Sequence, residues 1–175
     1  MLAYPSRLLS RTEVAQDTVA FQFERPRTFF FKAGQSIDLA LLGAAPDGSD
    51  GLTHTFSLAS SPFVEEILVA TRMRNSAFKR ALSLLPLGRR VNIKVPMGAF
   101  TLHHNASKAA VFFAEGIGIT PFLGMLCSAA EDKTQRSITL FLCEPVSGRR
   151  GLHGRSLEPG EFEYELSFRP DVYAN

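Results

Sequence analysis

The sequence predicts a small closed antiparallel β-barrel of six strands, followed by an incomplete βαβ lobe. Three observations predict it. Up to about residue 100, apolar residues recur at period two in short runs separated by turn residues. Beyond about residue 108 the apolar runs become continuous, as in parallel strands covered on both faces. Between two such runs lies an amphipathic helix with proline in its first turn, which completes a βαβ pattern.

The barrel elements follow in order. "RLLSRTEVA" and "TVAFQFER" are the first two strands, and in the second Val19, Phe21 and Phe23 alternate with small or polar partners. "TFFFKAGQSIDLALLG" contains a turn at Ala33-Gly34, then Ile37, Leu39 and Leu41 at period two. "AAPDGSDG" (44–51) carries every turn signal and is expected to be a loop. "LTHTFSLASSP" and "EEILVATRMR" are the next two strands. "NSAFKRALSLLP" (75–86) changes period: Phe78, Leu82 and Leu85 are spaced for a helix capped by Asn75 or Ser76. "LGRRVNIKVPMGAFTL" returns to strand, with Val91, Ile93 and Val95 alternating.

In the second lobe, "AAVFFA" and "SITLFLC" are the continuous strands and "TPFLGMLCSAAED" is the helix between them. The domain boundary is expected near residue 105, giving a barrel over 1–105 and a shortened lobe over 106–175. "EPVSGRRGLHGRSLEPGE", rich in Gly, Pro and Arg, reads as loop. "EFEYELSF" (161–168) alternates apolar residues with glutamates and reads as a half-buried strand. A two-stranded parallel sheet has open edges, so 161–168 is expected to cover one, within the chain or across a homodimer.

Composition excludes several classes. The chain is 175 residues long, 45% hydrophobic and 21% charged, which is globular. A net charge of +2 is too small to argue for nucleic acid or an anionic membrane surface. No run approaches the length of a membrane span, and "MLAYPSRLLSRTEV" lacks the pattern of a signal peptide, so a cytoplasmic protein is expected. Cys127 and Cys143 are expected to be buried thiols rather than a disulfide. Fifteen Phe against three Tyr and no Trp suggest a phenylalanine core with a ring or two free to stack on a planar ligand. His103 and His104 are adjacent and point to opposite faces, so they do not suggest a shared metal, and no metal site is expected.

Three stretches carry chemistry. In "HTFSLASSP", a hydroxyl (Ser57) directly follows an aromatic (Phe56), with His54 two residues earlier. That pattern suits a flavin, and equally an ordinary barrel strand with Phe56 in the core and Ser57 outside. In "ATRMRNSAFKRAL", the free amides of Asn75, Ser76 and Ala77 at a helix N-terminus make an anion site, to which Arg72, Arg74 and Lys79 add charge. The alternative is a solvated basic cap. The third, "VFFAEGIGITPFLGML" (111–126), is a buried strand, a glycine turn and a helix start, the shape that cradles a phosphate.

Together, "AGQSIDL", "HTFSLASSP", "ILVATRMRNSAFKRAL", "GRRVNIKVPMGAFTL" and "VFFAEGIGITPFLGML", in this order and spacing over about residues 5–142, resemble the flavin reductases related to ferredoxin–NADP reductase. The resemblance implies FAD as cofactor. His54-Thr55-Phe56-Ser57 stands for the family's Arg-x-Tyr-Ser/Thr and is similar to the ferric-reductase and NADPH-oxidase branch. It implies flavin contacts from His54, Thr55, Phe56 and Ser57, a ribityl–adenine side lined by Ala70, Thr71 and Arg72, and a pyrophosphate held by Asn75, Ser76 and Ala77. In the second lobe it implies that Gly116, Gly118, Thr120 and Pro121 meet NAD(P)H. Ser57, Thr120 and Glu115 become the catalytic candidates.

Glu115 stands where the family has its first glycine. A carboxylate there opposes a nearby pyrophosphate by about 1–3 kcal/mol, or serves instead as proton carrier or substrate anchor. The family's later βα units, its Cys-Gly-Pro-type turn and its acidic–aromatic end are not recognisable after residue 142. The function expected is therefore an FAD-dependent oxidoreductase moving electrons between a reduced nicotinamide cofactor and an acceptor protein or small molecule. The alternative is an FAD-binding protein that has lost nicotinamide reduction, and a third reading is a fragment whose fold persists without a ligand.

Overall fold

The computed structural model describes residues 3–43, 52–132, 136–146 and 149–157, and from residue 143 onward the backbone alone. The six expected barrel strands form one antiparallel sheet. They are β1 (Ala3–Ala15), β2 (Thr18–Glu24), β3 (Ser36–Leu41), β4 (Leu52–Ser57), β5 (Glu66–Arg72) and β6 (Arg90–Lys94), in the order β4-β3-β6-β1-β2-β5.

The long β1 turns the corner of this sheet. Its first half pairs with β6 and its second half with β2, with register breaks between Leu8 and Ser10 and between Glu13 and Ala15. Such breaks bend a strand and increase its twist, which curls the sheet. The two ends of the order then meet. The chain after β4 leaves β3 and crosses to β5, where the Ala59 amide donates to the Leu68 carbonyl at 2.9 Å and the Leu68 amide to Ser60 Oγ at 3.1 Å. The residues at period two become the core: Phe21, Phe23, Ile37, Leu39, Leu41, Val91 and Ile93 are buried together. Val95, expected to continue that row, lies past the end of β6 and is half-buried. The helix of the barrel, α1 (Ala77–Leu84), buries Phe78 and Leu82 and is capped by Ser76, whose Oγ accepts from the Lys79 amide.

The second sheet contains β7 (Ala110–Glu115), β8 (Ile138–Val146) and β9 (Arg149–Leu157). β7 and β8 are parallel and joined through α2 (Thr120–Glu131), as the βαβ reading requires. Two expectations fail here. β7 was expected to be covered on both faces, but it alternates: Phe112 and Ala114 pack under α2, whereas Val111 is 54% and Phe113 67% exposed. One helix covers one face, and among the described residues no second helix covers the other. The exposed Phe113 stacks on Phe141 of β8, with ring centroids 4.9 Å apart.

The second failure is the segment after Cys143, expected as loop. β8 continues to Val146, and β9 returns antiparallel along its whole length, from Val146↔Arg149 to Ile138↔Leu157. β7 occupies only one edge of β8, and the other edge offers unpaired backbone that β9 takes up. Backbone pairing asks little of side chains, so glycine and arginine do not prevent it. The expected strand 161–168 and the expected loop 44–51 lie outside the described residues.

The two sheets meet through α2, which lies against the chain leaving β4. A methyl group on Gly124 would stand 2.9 Å from the carbonyl oxygens of both Leu58 and Ser60, so the helix rests on backbone. Further along, Ser61 Oγ donates to the Glu131 carboxylate.

Candidate functional site

The site begins on β4. On a strand, alternate residues share a face, and His54 and Phe56 point together toward α1. Their rings meet edge-on at 4.8 Å, and Phe78 of α1 closes the group at 5.3 Å from His54 and 5.7 Å from Phe56. Phe56 is core, only 5% exposed, while His54 is the ring that reaches solvent. Packing of the imidazole against these rings, and then the Lys79 ammonium, push the His54 pKa below its ordinary value.

Thr55 points the other way. Its hydroxyl donates to Asp38 Oδ1 at 2.6 Å, and Asp38 also faces Lys94 at 3.6 Å. The structure thus separates Thr55 from His54 and Phe56. Ser57 is half-buried at the end of β4, opposite Ser36.

β5 and α1 build the charged part. Ala70 and Thr71 are buried in β5 and Arg72 emerges at its end. Asn75, Ser76 and Ala77 are exposed around the N-terminus of α1, but the Ser76 amide, expected to be free, is turned back to donate to the Arg74 carbonyl at 2.8 Å. Asn75 Oδ1 accepts from Arg80, and Lys79 Nζ donates to the Arg72 carbonyl at 2.6 Å. Burial and then Arg74 push the Lys79 pKa down, as expected where cations crowd without a counter-charge.

The glycine turn comes from the other sheet. β7 ends at the exposed Glu115, the chain makes a 3₁₀ turn over Gly116–Ile119, and α2 begins at Thr120 with Pro121 in its first turn. Gly116 adopts φ +50°, a left-handed conformation that favours glycine. Thr120 is buried, and its hydroxyl donates to the Ile117 carbonyl at 2.6 Å, which closes the turn on itself. The turn lies beside β5: a methyl group placed on Gly116 would be 3.9 Å from Arg72 Nη2.

The fold therefore brings together the end of β5, the N-terminus of α1 and the glycine turn. It holds His54 beside α1 through Phe78, within the field of Lys79, and turns Thr55 away. Two participants escaped the sequence reading as site residues: Phe78, which looked like core periodicity alone, and Lys79, counted only as charge. Their i, i+1 placement after the Ser76 cap is the signal that could have placed them beside His54.

No protein-family model matches the chain. Among curated proteins, it is 32% identical over 144 residues to the stachydrine N-demethylase reductase subunit of Rhizobium meliloti, covering 81% of this chain and 40% of that protein. It is 29% identical over 127 residues to ferredoxin–NADP reductase B of Sorangium cellulosum, covering 70% of this chain and 50% of that protein. The chain thus spans half or less of the length of these relatives. Among solved structures, a ferredoxin–NADP⁺ reductase from Neisseria gonorrhoeae with bound FAD and NADP superposes with a TM-score of 0.69 at 19% identity, over 80% of this chain and 56% of that one. The ferredoxin–NADP⁺ reductase of Plasmodium falciparum gives 0.72 at 15% identity, over 83% and 62%. At these identities the structures show the fold: an antiparallel barrel with part of a nucleotide lobe.

Proposed function

We propose that this chain, related to the ferredoxin–NADP reductase-like reductases, is an FAD-dependent oxidoreductase that passes electrons between a reduced nicotinamide cofactor and an acceptor protein or small molecule. The observation that supports this most directly is the approach of Arg72 to the Gly116 turn, beside the exposed residues Asn75–Ala77 that open α1, so that one dinucleotide-sized anion could touch both sheets.

The residues fit FAD. Asn75, Ser76 and Ala77 with Lys79 and Arg72 would hold its pyrophosphate, and His54 would meet the phosphates. Ser57 would flank the isoalloxazine, whereas Phe56, expected to contact it, lies in the core at 5% exposure and would support the site from beneath. Ala70 and Thr71 would line the way to the adenine. Bound FAD would supply the redox chemistry, so this chain needs no nucleophile or metal. Gly116, Gly118, Thr120 and Pro121 would present the turn to NAD(P)H. There the hydroxyl of Thr120 acts through the shape of the turn, because its proton is given to Ile117. Glu115 would stand beside the ring as a proton carrier.

In this reading residues 1–105 are the flavin barrel and 106–175 the nucleotide lobe. The protein works in the cytoplasm, and residues 161–168 join two copies. Light scattering of the full chain against one lacking 158–175 tests the dimer.

The test of the main reading is a visible spectrum of the purified protein with added FAD, followed by anaerobic NADH and then NADPH. Bound flavin that bleaches with either cofactor is expected. A protein that takes up no FAD overturns the proposal. One that binds FAD yet bleaches only with dithionite removes nicotinamide oxidation from it.

A further inference from the structure

At the opposite end of α2 from the glycine turn there is a cavity of about 400 Å³, within the size range of small-molecule sites. Twelve helical residues separate the two ends, a distance of about 18 Å, so the cavity is a different place from the site above. Its walls come from loops of the barrel and from the end of α2: the turn before β3 (Phe31, Lys32), the chain after β4 (Pro62, Phe63), the connection from β6 to β7 (Leu102, His103, His104, Ala106), and the C-terminal turn of α2 with Arg136.

Arg136 organises it. The residue is 9% exposed, and burying a guanidinium requires that its donors be satisfied. Nη2 donates to the His103 carbonyl at 2.9 Å and Nη1 to the Asn105 carbonyl at 3.3 Å. Nη1 also lies 3.0 Å from His103 Nδ1 and 3.4 Å from Nε2, over one edge of the imidazole. The two carbonyls are neutral acceptors, and in a neutral His103 one ring nitrogen accepts as well. Among the described residues no carboxylate lies within ion-pair distance of Arg136. Lys32 adds a second cation to the walls, His103 and His104 supply two imidazoles, and Asp132 is the one carboxylate. Phe31, Pro62, Phe63 and Leu102 supply apolar lining.

We propose that this cavity is a binding site for a small organic carboxylate with an apolar body. The carboxylate is drawn to Arg136 and Lys32, and the body lies against Phe63, Pro62 and Leu102. A net positive wall selects the charge, and the apolar wall excludes simple inorganic anions from binding equally well. The same ligand ties α2 to the barrel, because its walls come from barrel loops on one side and from the α2 end on the other. This proposal stands apart from the flavin reading, since none of these residues lies in the site described above.

The test is titration of the full chain with benzoate, followed by calorimetry and by the imidazole resonances. Saturable one-to-one binding is expected, with shifts at His103 and His104 and none at His54. Benzyl alcohol, which lacks the charge, and inorganic phosphate, which lacks the body, are each expected to bind at least about tenfold more weakly. Lys32→Ala and Phe63→Ser both sit at the mouth of the cavity, where folding is safe, and each is expected to weaken benzoate at least about threefold. The proposal is overturned by any of four results: no saturation by about 10 mM, benzyl alcohol or phosphate matching benzoate, shifts at His54 instead, or neither variant changing the affinity.

Discussion

Gly34 sits in the turn before β3 at φ +92°, and the structure lets the cost of giving it a side chain be worked out. A methyl group there would lie 2.2 Å from the Phe100 carbonyl oxygen and 2.2 Å from Met125 Cε. The methionine methyl can swing away. The carbonyl belongs to the backbone of the chain leading from β6 to β7 and cannot, without moving that chain. Gly34→Ala therefore meets a conformational penalty of about 1–2 kcal/mol for positive φ and an overpacking penalty of about 1–3 kcal/mol. Loss of unfolded-state entropy offsets about 0.4–1 kcal/mol of this. The net destabilisation is about 2–4 kcal/mol, which lowers Tm by roughly 4–16 °C for a chain of this size. Gly88 serves as the control. It too has positive φ, +77°, but nothing lies within 4 Å of its would-be methyl, so Gly88→Ala carries only the conformational penalty of about 1–2 kcal/mol less the same entropy offset, a net of about 1 kcal/mol. Urea unfolding of the two variants, side by side, isolates the contact. If Gly34→Ala and Gly88→Ala destabilise equally, within about 0.5 kcal/mol, the close approach of this turn to Phe100 and α2 is not real.

Three further outcomes are expected. Gly124→Ala improves intrinsic helix propensity by about 1 kcal/mol yet drives a methyl against two backbone carbonyls; a net loss of about 1–2 kcal/mol in urea is expected, and a gain would deny the helix–strand contact. His54 has its pKa pushed below the ordinary value by burial and by Lys79. The unfolded chain thus binds its proton first, and apoprotein stability falls as pH drops below about 6.5. FAD phosphates would raise the same pKa, so FAD affinity should increase from pH 8 to pH 6 and become flat in His54→Gln. Burial and then Glu131 push the Cys127 thiol up, so alkylation by iodoacetamide at pH 7.5 should be slow in the native protein and speed up in urea. Fast native labelling would contradict the packing of α2.

The barrel was legible because most of its strands are buried mainly on one face, and one-sided burial writes period two into the sequence. Ile37, Leu39 and Leu41 are the clearest case. β5 is the exception, buried continuously from Ile67 to Thr71. The βαβ unit was legible for the complementary reason, as Pro121 and the apolar runs mark a helix between strands. β9 was not legible, because pairing along a free edge uses backbone groups that every residue but proline carries. The exposed face of β7 was hidden in the same way: Val111 and Phe113 look identical in sequence whether or not something covers them.

In the candidate site, the types and spacing of His54, Phe56, Asn75–Ala77 and the Gly116–Gly118 turn were set by the chain alone, since local capping and turn chemistry need only neighbouring residues. Which way Thr55 points, that Phe78 holds His54 within the field of Lys79, and that Arg72 reaches the glycine turn were decided by tertiary structure. These relations join residues that are distant in the chain, through strand register and helix docking, and no local pattern encodes them. The cavity at Arg136 is the furthest instance, because its walls come from four separate stretches of chain that only the docking of α2 on the barrel brings face to face.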